Sequence, residues 1–183
     1  GDYVNIGTPI ITLTSNRRLQ LRADVPQQYL RLLPSVSGAN FRIPGDNTLY
    51  RLSALNGRVE SYGRSLADGS AFAPVIMSMD NVGALLPGAY ADVYLLMNDG
   101  KQCISLPESA ITEEQGLYFV YVAEPDEPGV FVKREVSVGR DNGERIEITA
   151  GLKAGETVVT QGAMQVRLAS MSGSVPEGHS HSH

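Results

Sequence analysis

The sequence predicts a mostly β fold built from antiparallel barrels or sandwiches. Three observations lead there. The 183 residues include 19 Gly and 10 Pro, and these punctuate the chain at near-regular intervals. Between them run short segments in which apolar and polar residues alternate, at roughly 8–12-residue spacing, the pattern of many short strands. Stretches with a helical period are scarce.

Taken in order, "GDYVNIGTPIITL" (1–13) reads as a turn followed by a strand, with Val4, Ile6, Ile10, Ile11 and Leu13 apolar. "LQLRADV" is the next strand. "VPQQYLRLLP" (25–34) predicts one short helix near 26–33. Pro26 suits a first helical position, Leu30 and Leu33 share a side, and Pro34 stops the run. "GRVESYG", "FAPVIMSM" and "AYADVYLL" continue the strands, and "LLPG" places Gly88 after Pro87, as a type II turn requires. A boundary falls near 97–101, where one strand set closes and "KQCISLP" begins another. "NDGK" (98–101) and "RDNGER" (140–145) carry Asp-Gly and Asn-Gly pairs that suit tight hairpins. "PESAITEEQG" (107–116) holds a turn. "LYFVYVA", "VFVKREVSV", "RIEIT" and "ETVVTQ" complete the strands, with Gly151 and Gly155 bracketing a tight connection into the last. After about Leu168 the periodicity is lost, and small and polar residues dominate. Residues 170–183 are therefore expected to be a disordered tail.

Composition excludes several functions. Net charge is −5 and no basic run exists, which argues against nucleic acid as a partner. No stretch approaches the ~20 apolar residues of a membrane span. All three histidines, His179, His181 and His183, lie in the last five residues. The folded part thus lacks the Ser-His-Asp, Cys-His and histidine-metal constellations of hydrolases. No P-loop motif is present, and the glycines of 151–164 lack a strand–GxGxxG–helix setting. The chain is not expected to be an enzyme. The single cysteine, Cys103, reads as a small buried hydrophobe. Met77 and Met79 share a strand face with Val75, which is what a core stripe looks like, although thioethers also suit Cu(I). Tyr118 and Tyr121 fall on opposite sides of one strand and read as half-buried strand residues.

Read together, several segments resemble the membrane fusion proteins, or periplasmic adaptor subunits, of the HlyD family. "GDYVNIGTPIITL" resembles the end of that family's second lipoyl-like half-motif. "LQLRADVPQQYLRLL" resembles its first barrel strand, Val-Pro-Glu corner and short helix, with Gln27 where Glu is common. "LNGRVESYGRSLADGSAFAPVIMSMDNVGALLPGAYADVYL" resembles the barrel core, with Ala89 replacing Met in the Leu-x-Pro-Gly-Met turn. "ISLPESAITEEQGLYFVYV" resembles the entry to the membrane-proximal domain, and "VKREVSVGRDNGERIEITAGLKAGETVVTQGA" resembles its finish.

The resemblance implies a lipoyl-like remnant over 1–14, a β-barrel domain with one short helix over 15–97, a membrane-proximal β domain over 98–169 and the tail over 170–183. Gly1–Leu13 would be a cut edge, leaving Val4, Ile6 and Ile11 short of packing partners. The first half-motif, a helical hairpin and an inner-membrane anchor would lie upstream. The implied function is that of a periplasmic adaptor joining an inner-membrane resistance-nodulation-division (RND) pump to an outer-membrane channel, for export of metal cations or drugs. The intact protein would self-associate. No cofactor is required.

Two other classes remain open on the residues. One is a periplasmic metal carrier that uses the C-terminal histidines, and the other is a non-catalytic carbohydrate-binding or adhesion module. In "EGHSHSH" the alternation lets His179, His181 and His183 fall on one side of an extended chain. Neutral imidazoles there suit weak binding of Zn(II), Cu(II) or Ni(II).

Overall fold

A computed structural model describes residues 10–15, 17–63, 70–83, 85–98 and 100–172. The expectations for Gly1–Pro9 and for residues 173–183 lie outside the described residues. These residues divide into two compact units. One holds the residues up to Gln102 together with Arg140–Glu144, and the other holds Cys103–Gly139 and the residues from Arg145 onward.

The first unit contains β1 (Ile10–Ser15), β2 (Arg18–Pro26), β3 (Val36–Arg42), β4 (Tyr50–Arg51), β5 (Arg58–Tyr62), β6 (Phe72–Asp80) and β7 (Asp92–Met97). They form two antiparallel sheets, ordered β1-β2-β6-β5 and β4-β3-β7. Alternation fixes the inner face. Leu19, Leu21, Ala23 and Val25 of β2 stand opposite Met79, Met77, Val75 and Ala73 of β6, and all eight are buried. A one-residue slip would turn this ladder to solvent, so the register is strongly specified. Met77 and Met79 are thus core residues, inside one apolar cluster with Phe41 and Leu33.

Between β2 and β3 the predicted helix forms as a 3-10 helix, Gln27–Ser35, with Pro34 inside its last turn. Leu33 points into the core and Leu30 packs against it. β1 carries a correction. The strand assigned to the lipoyl remnant pairs with β2 as the edge of the first sheet, and Ile11 is fully buried. Its backbone is clasped from the other side, because Ile11 N–H donates to Ala89 O (3.0 Å) and Gly88 N–H donates to Ile11 O (2.6 Å). The turn that supplies this clasp is the type II turn read from the sequence. Ala89 N–H donates to Leu86 O at 3.1 Å, and Gly88 has φ +90°.

β3 was not expected, because "VSGANFR" mixes turn formers with apolar residues. It forms because Ala39 and Phe41 are buried, with Phe41 stacked on Tyr50 at 5.3 Å. Asn40, also buried, donates from Nδ2 to Asn142 O at 2.8 Å. Arg42 Nη2 donates to Gly143 O at 2.6 Å, and Arg51 pairs with Glu144 at 2.9 Å. The tip 140–144 is in this way an integral part of the first unit.

The second unit contains β8 (Ile104–Pro107), β9 (Thr112–Glu114), β10 (Leu117–Ala123), β11 (Phe131–Asp141), β12 (Arg145–Ala150) and α1 (Ala163–Ser172). Its five strands are ordered β8-β12-β11-β10-β9. Leu106, Ala110, Val120, Val122, Val136 and Ile148 form its core. The turn expected within 107–116 is a 3-10 turn at Glu108–Ala110. β9 covers only the first residues of β10. Past it the edge is covered by the 157–159 segment, where Ala123 N–H donates to Thr157 O and Val159 N–H to Tyr121 O, both at 2.9 Å.

Four further expectations are corrected. "ETVVTQ" makes only an isolated bridge, Val122 with Val158, rather than a strand. "NDGK" is not a hairpin, since β7 and β8 belong to different sheets. Cys103 is exposed, because the alternation of "KQCISLP" is paired only from Ile104 onward. The disordered tail does not begin at 170, since α1 runs to Ser172. It is held by packing of α1 on β10 and by an ion pair from Arg167 to Glu114, neither of which is a local signal.

Candidate functional site

Among the described residues no three of His, Cys, Asp or Glu converge in a way that could hold a metal ion. The predicted ligands His179, His181 and His183 lie outside those residues. No described helix is long and apolar enough to cross a membrane. Tyr118 packs on the second core and Tyr121 is 1% exposed, so these two present no stacking face for a sugar.

In the first unit, the outer side of β2, β6 and β5 carries a polar chain. Arg18 donates to Asp80 (3.1 Å) and to Ser78 Oγ (2.9 Å), Ser78 donates to Glu60 (2.5 Å), and Arg58 Nε donates to Glu60 (2.9 Å). The Ser78 hydroxyl, and after it Arg58, hold the Glu60 carboxyl below its usual range. These groups satisfy one another at the surface, where such pairs contribute little stability. The same unit also exposes Val82, Leu86 and Tyr90, all between β6 and β7, with Leu86 71% exposed.

In the second unit, residues 119, 121, 131 and 133 share the sheet face opposite the core, as the β10–β11 register requires. Lys133 Nζ sits 4.1 Å from the centre of the Phe119 ring and donates to Glu114 at 2.7 Å. Arg167 of α1 reaches the other oxygen of Glu114 at 3.1 Å. The Lys133 hydrogen bond, aided by the charge of Arg167, holds the Glu114 carboxyl low against a smaller opposing effect of burial. On the same face the Tyr121 hydroxyl is buried with no hydrogen-bond partner.

The hairpin joining β10 to β11 is well formed. Glu124 N–H donates to Val130 O (3.0 Å), Val130 N–H to Glu127 O (3.1 Å) and Glu127 N–H to Glu124 O (3.4 Å). It displays Glu124, Asp126 and Glu127 beside exposed Val130, Phe131 and Val132. This surface was not singled out from the sequence. The signal was present in "EPDEPGVFV", an acidic turn running directly into a fully apolar triplet.

Comparison with known proteins places these features. Residues 104–167 match the model of the CzcB C-terminal circularly permuted SH3-like domain. Among curated proteins, the multidrug resistance protein MdtA of Cronobacter turicensis is 33% identical over 79 residues. That match takes in 43% of this chain and 19% of MdtA, so the chain spans only a small part of this relative. Two solved structures are also similar. ZneB from Cupriavidus metallidurans has 24% identity over 81% of this chain and 42% of its own, with a TM-score of 0.40. MacA from Actinobacillus actinomycetemcomitans has 18% identity over 78% of this chain and 42% of its own, with a TM-score of 0.38.

Part of this chain is thus similar to the C-terminal domain of CzcB and to MdtA, in line with the resemblance of its motifs to the membrane fusion proteins of the HlyD family.

Proposed function

We propose that the intact protein is a periplasmic adaptor that couples an inner-membrane RND pump to an outer-membrane channel for the export of metal cations or drugs. The match of residues 104–167 to the CzcB C-terminal domain is the observation that supports this most directly. On this reading the protein is held at the inner membrane by a segment outside these 183 residues, and copies of it associate in the assembled conduit. The mechanism is binding and conformational coupling, in which contacts to one partner bias affinity for the other.

The cargo follows one of two directions. The CzcB-type domain favours heavy-metal cations, and the name of MdtA favours drugs. The C-terminal histidines would add a weak, rapidly exchanging site for Zn(II), Cu(II) or Ni(II). The test is a pull-down of the intact protein from membranes after mild crosslinking. Recovery of an RND pump and an outer-membrane channel is expected, and recovery of neither overturns the reading.

A further inference from the structure

We infer that α1 is a strap that lifts reversibly from the outer face of the second unit's sheet, and that the Tyr121 hydroxyl sets how often it lifts. Tyr121 and Ala163 are each 1% exposed, yet neither belongs to the core cluster of this unit. Their burial has another source. Tyr121 lies with Phe119 on the face opposite the core, and α1 packs on β10 across that face, where Arg167 reaches Glu114. Along the helix Ala163 is buried and Val166 and Arg167 are half-buried, while Met164, Gln165 and Leu168 are exposed. Positions 163, 166 and 167 are the inward stripe of one helix face.

That stripe holds the helix weakly. It offers a methyl group, a valine and an arginine, so the apolar area it removes from water is small. Met164 and Leu168, on the other side, leave 52% and 59% of their surfaces in water. The ten residues of α1 are also fewer than the ~12–15 that an isolated helix needs to persist in water, so the sheet has to hold it. Against this hold stands a cost of closure. With the strap down, the Tyr121 hydroxyl is buried and has no hydrogen-bond partner. A hydroxyl in that position forfeits the bonds that water would give it, and lifting restores them. Glu114 keeps its bond to Lys133 when Arg167 leaves, so no carboxylate is stranded. The pivot is Gly162, at φ +81°, whose carbonyl accepts the first helical bond from Val166 N–H at 3.0 Å. Lifting uncovers the Tyr121 ring beside Lys133, its partner across the ladder, an aromatic face that the closed unit withholds.

The experiment is amide hydrogen exchange of the 183-residue chain, followed by NMR at increasing low urea concentrations. The Val166, Arg167 and Leu168 amides should exchange faster than those of the β10–β11 ladder. Their rates should also be nearly independent of urea, because lifting exposes little surface, whereas the ladder should follow urea steeply. Tyr121→Phe removes the partnerless hydroxyl and should slow exchange in α1 about tenfold. Arg167→Gln removes the ion pair and should speed it roughly two- to fivefold. Exchange of the α1 amides at the ladder's rate and with the ladder's urea dependence overturns the proposal, since α1 would then open only with the whole unit. Exchange in Tyr121→Phe that is unchanged or faster overturns it as well, since the hydroxyl would not be working against closure. The urea dependence is read on the unaltered chain, so this part of the test stands whether or not either variant folds.

Discussion

Gly151 and Gly155 offer a matched pair for testing what shapes the end of the second unit. Their backbones are nearly identical, at φ +92° and +91°. A residue with a Cβ in this left-handed region loses about 1–2 kcal/mol. Alanine recovers about 0.4–1 kcal/mol of that by restricting the unfolded chain. Gly155→Ala, whose Cβ would meet open space, should therefore cost roughly 1 kcal/mol.

Gly151 differs in its surroundings. A Cβ there would collide with Glu135 O and lie 3.0 Å from Val136 Cα and 3.2 Å from Val136 Cγ1. β11 cannot yield easily, because Val136 is core and its strand is paired along β10. Forced overpacking adds about 1–3 kcal/mol, for a total of roughly 2–4 kcal/mol. Urea denaturation followed by far-UV circular dichroism reads the difference. With a slope of about 1–3 kcal/mol/M, Gly151→Ala should lower the midpoint by about 1 M or more, and Gly155→Ala by a few tenths. Hydrogen exchange of the β10–β12 amides assigns the loss to this unit. Equal shifts for the two variants would refute the reasoning, since backbone conformation alone would then explain both.

Three further outcomes are expected. Tyr121→Phe removes a buried hydroxyl that has no partner, and should raise the unfolding midpoint by the equivalent of about 1 kcal/mol; a lower midpoint would show that the hydroxyl is satisfied. Arg134, followed by the backbone N–H of Lys153, holds the Glu156 carboxyl below its ordinary 4.5. The folded state therefore binds that proton less tightly than the unfolded one. The contribution is present above the unfolded pKa and is lost as pH falls through the folded one. Glu156→Gln should accordingly flatten the decline of the urea midpoint between pH 5 and pH 3, and an unchanged decline would count against the pair. Calorimetric titration of Zn(II) and Cu(II) should give heats that vanish when residues 178–183 are deleted, and that weaken below about pH 6 as imidazoles protonate; equal heats with and without the tail would remove its metal role.

The antiparallel strands of the first unit were legible wherever local chemistry and long-range packing agree. The alternation of "LQLRADV" and "FAPVIMSM" is the β2–β6 ladder, and Pro87-Gly88 is the type II turn that the dipeptide itself announced. What escaped the sequence depends on distant partners. β3 holds Ser37, Gly38 and Asn40, which favour turns in isolation. Burial of Phe41 and the bond from Asn40 to Asn142 override them. The last turns of α1 carry Ser170 and Ser172, weak helix formers, and the helix is secured at Arg167 by Glu114, far away in sequence. Ile11 looked like the survivor of a lost neighbour, but Gly88 and Ala89 take up its backbone. Of the β10–β11 hairpin, the acidic turn and the apolar triplet were each readable. Their juxtaposition on a preformed hairpin, with neighbouring cations already engaged, required coordinates.

The covering of the β10 edge by residues 157–159 has a consequence for how this chain can change. The clasp is made by backbone groups, from Ala123 to Thr157 and from Val159 to Tyr121, so it asks nothing of the side chains that flank it. Thr157 and Thr160 point to solvent and are open to drift, while Val158, packed on the core, is not. A lineage can thus rewrite the outer chemistry of this segment, including its charge, without uncovering a strand edge to stray chains. Change is thereby confined to the outer side chains of the segment, while Gly151 and Gly155, with their left-handed backbones, hold its course.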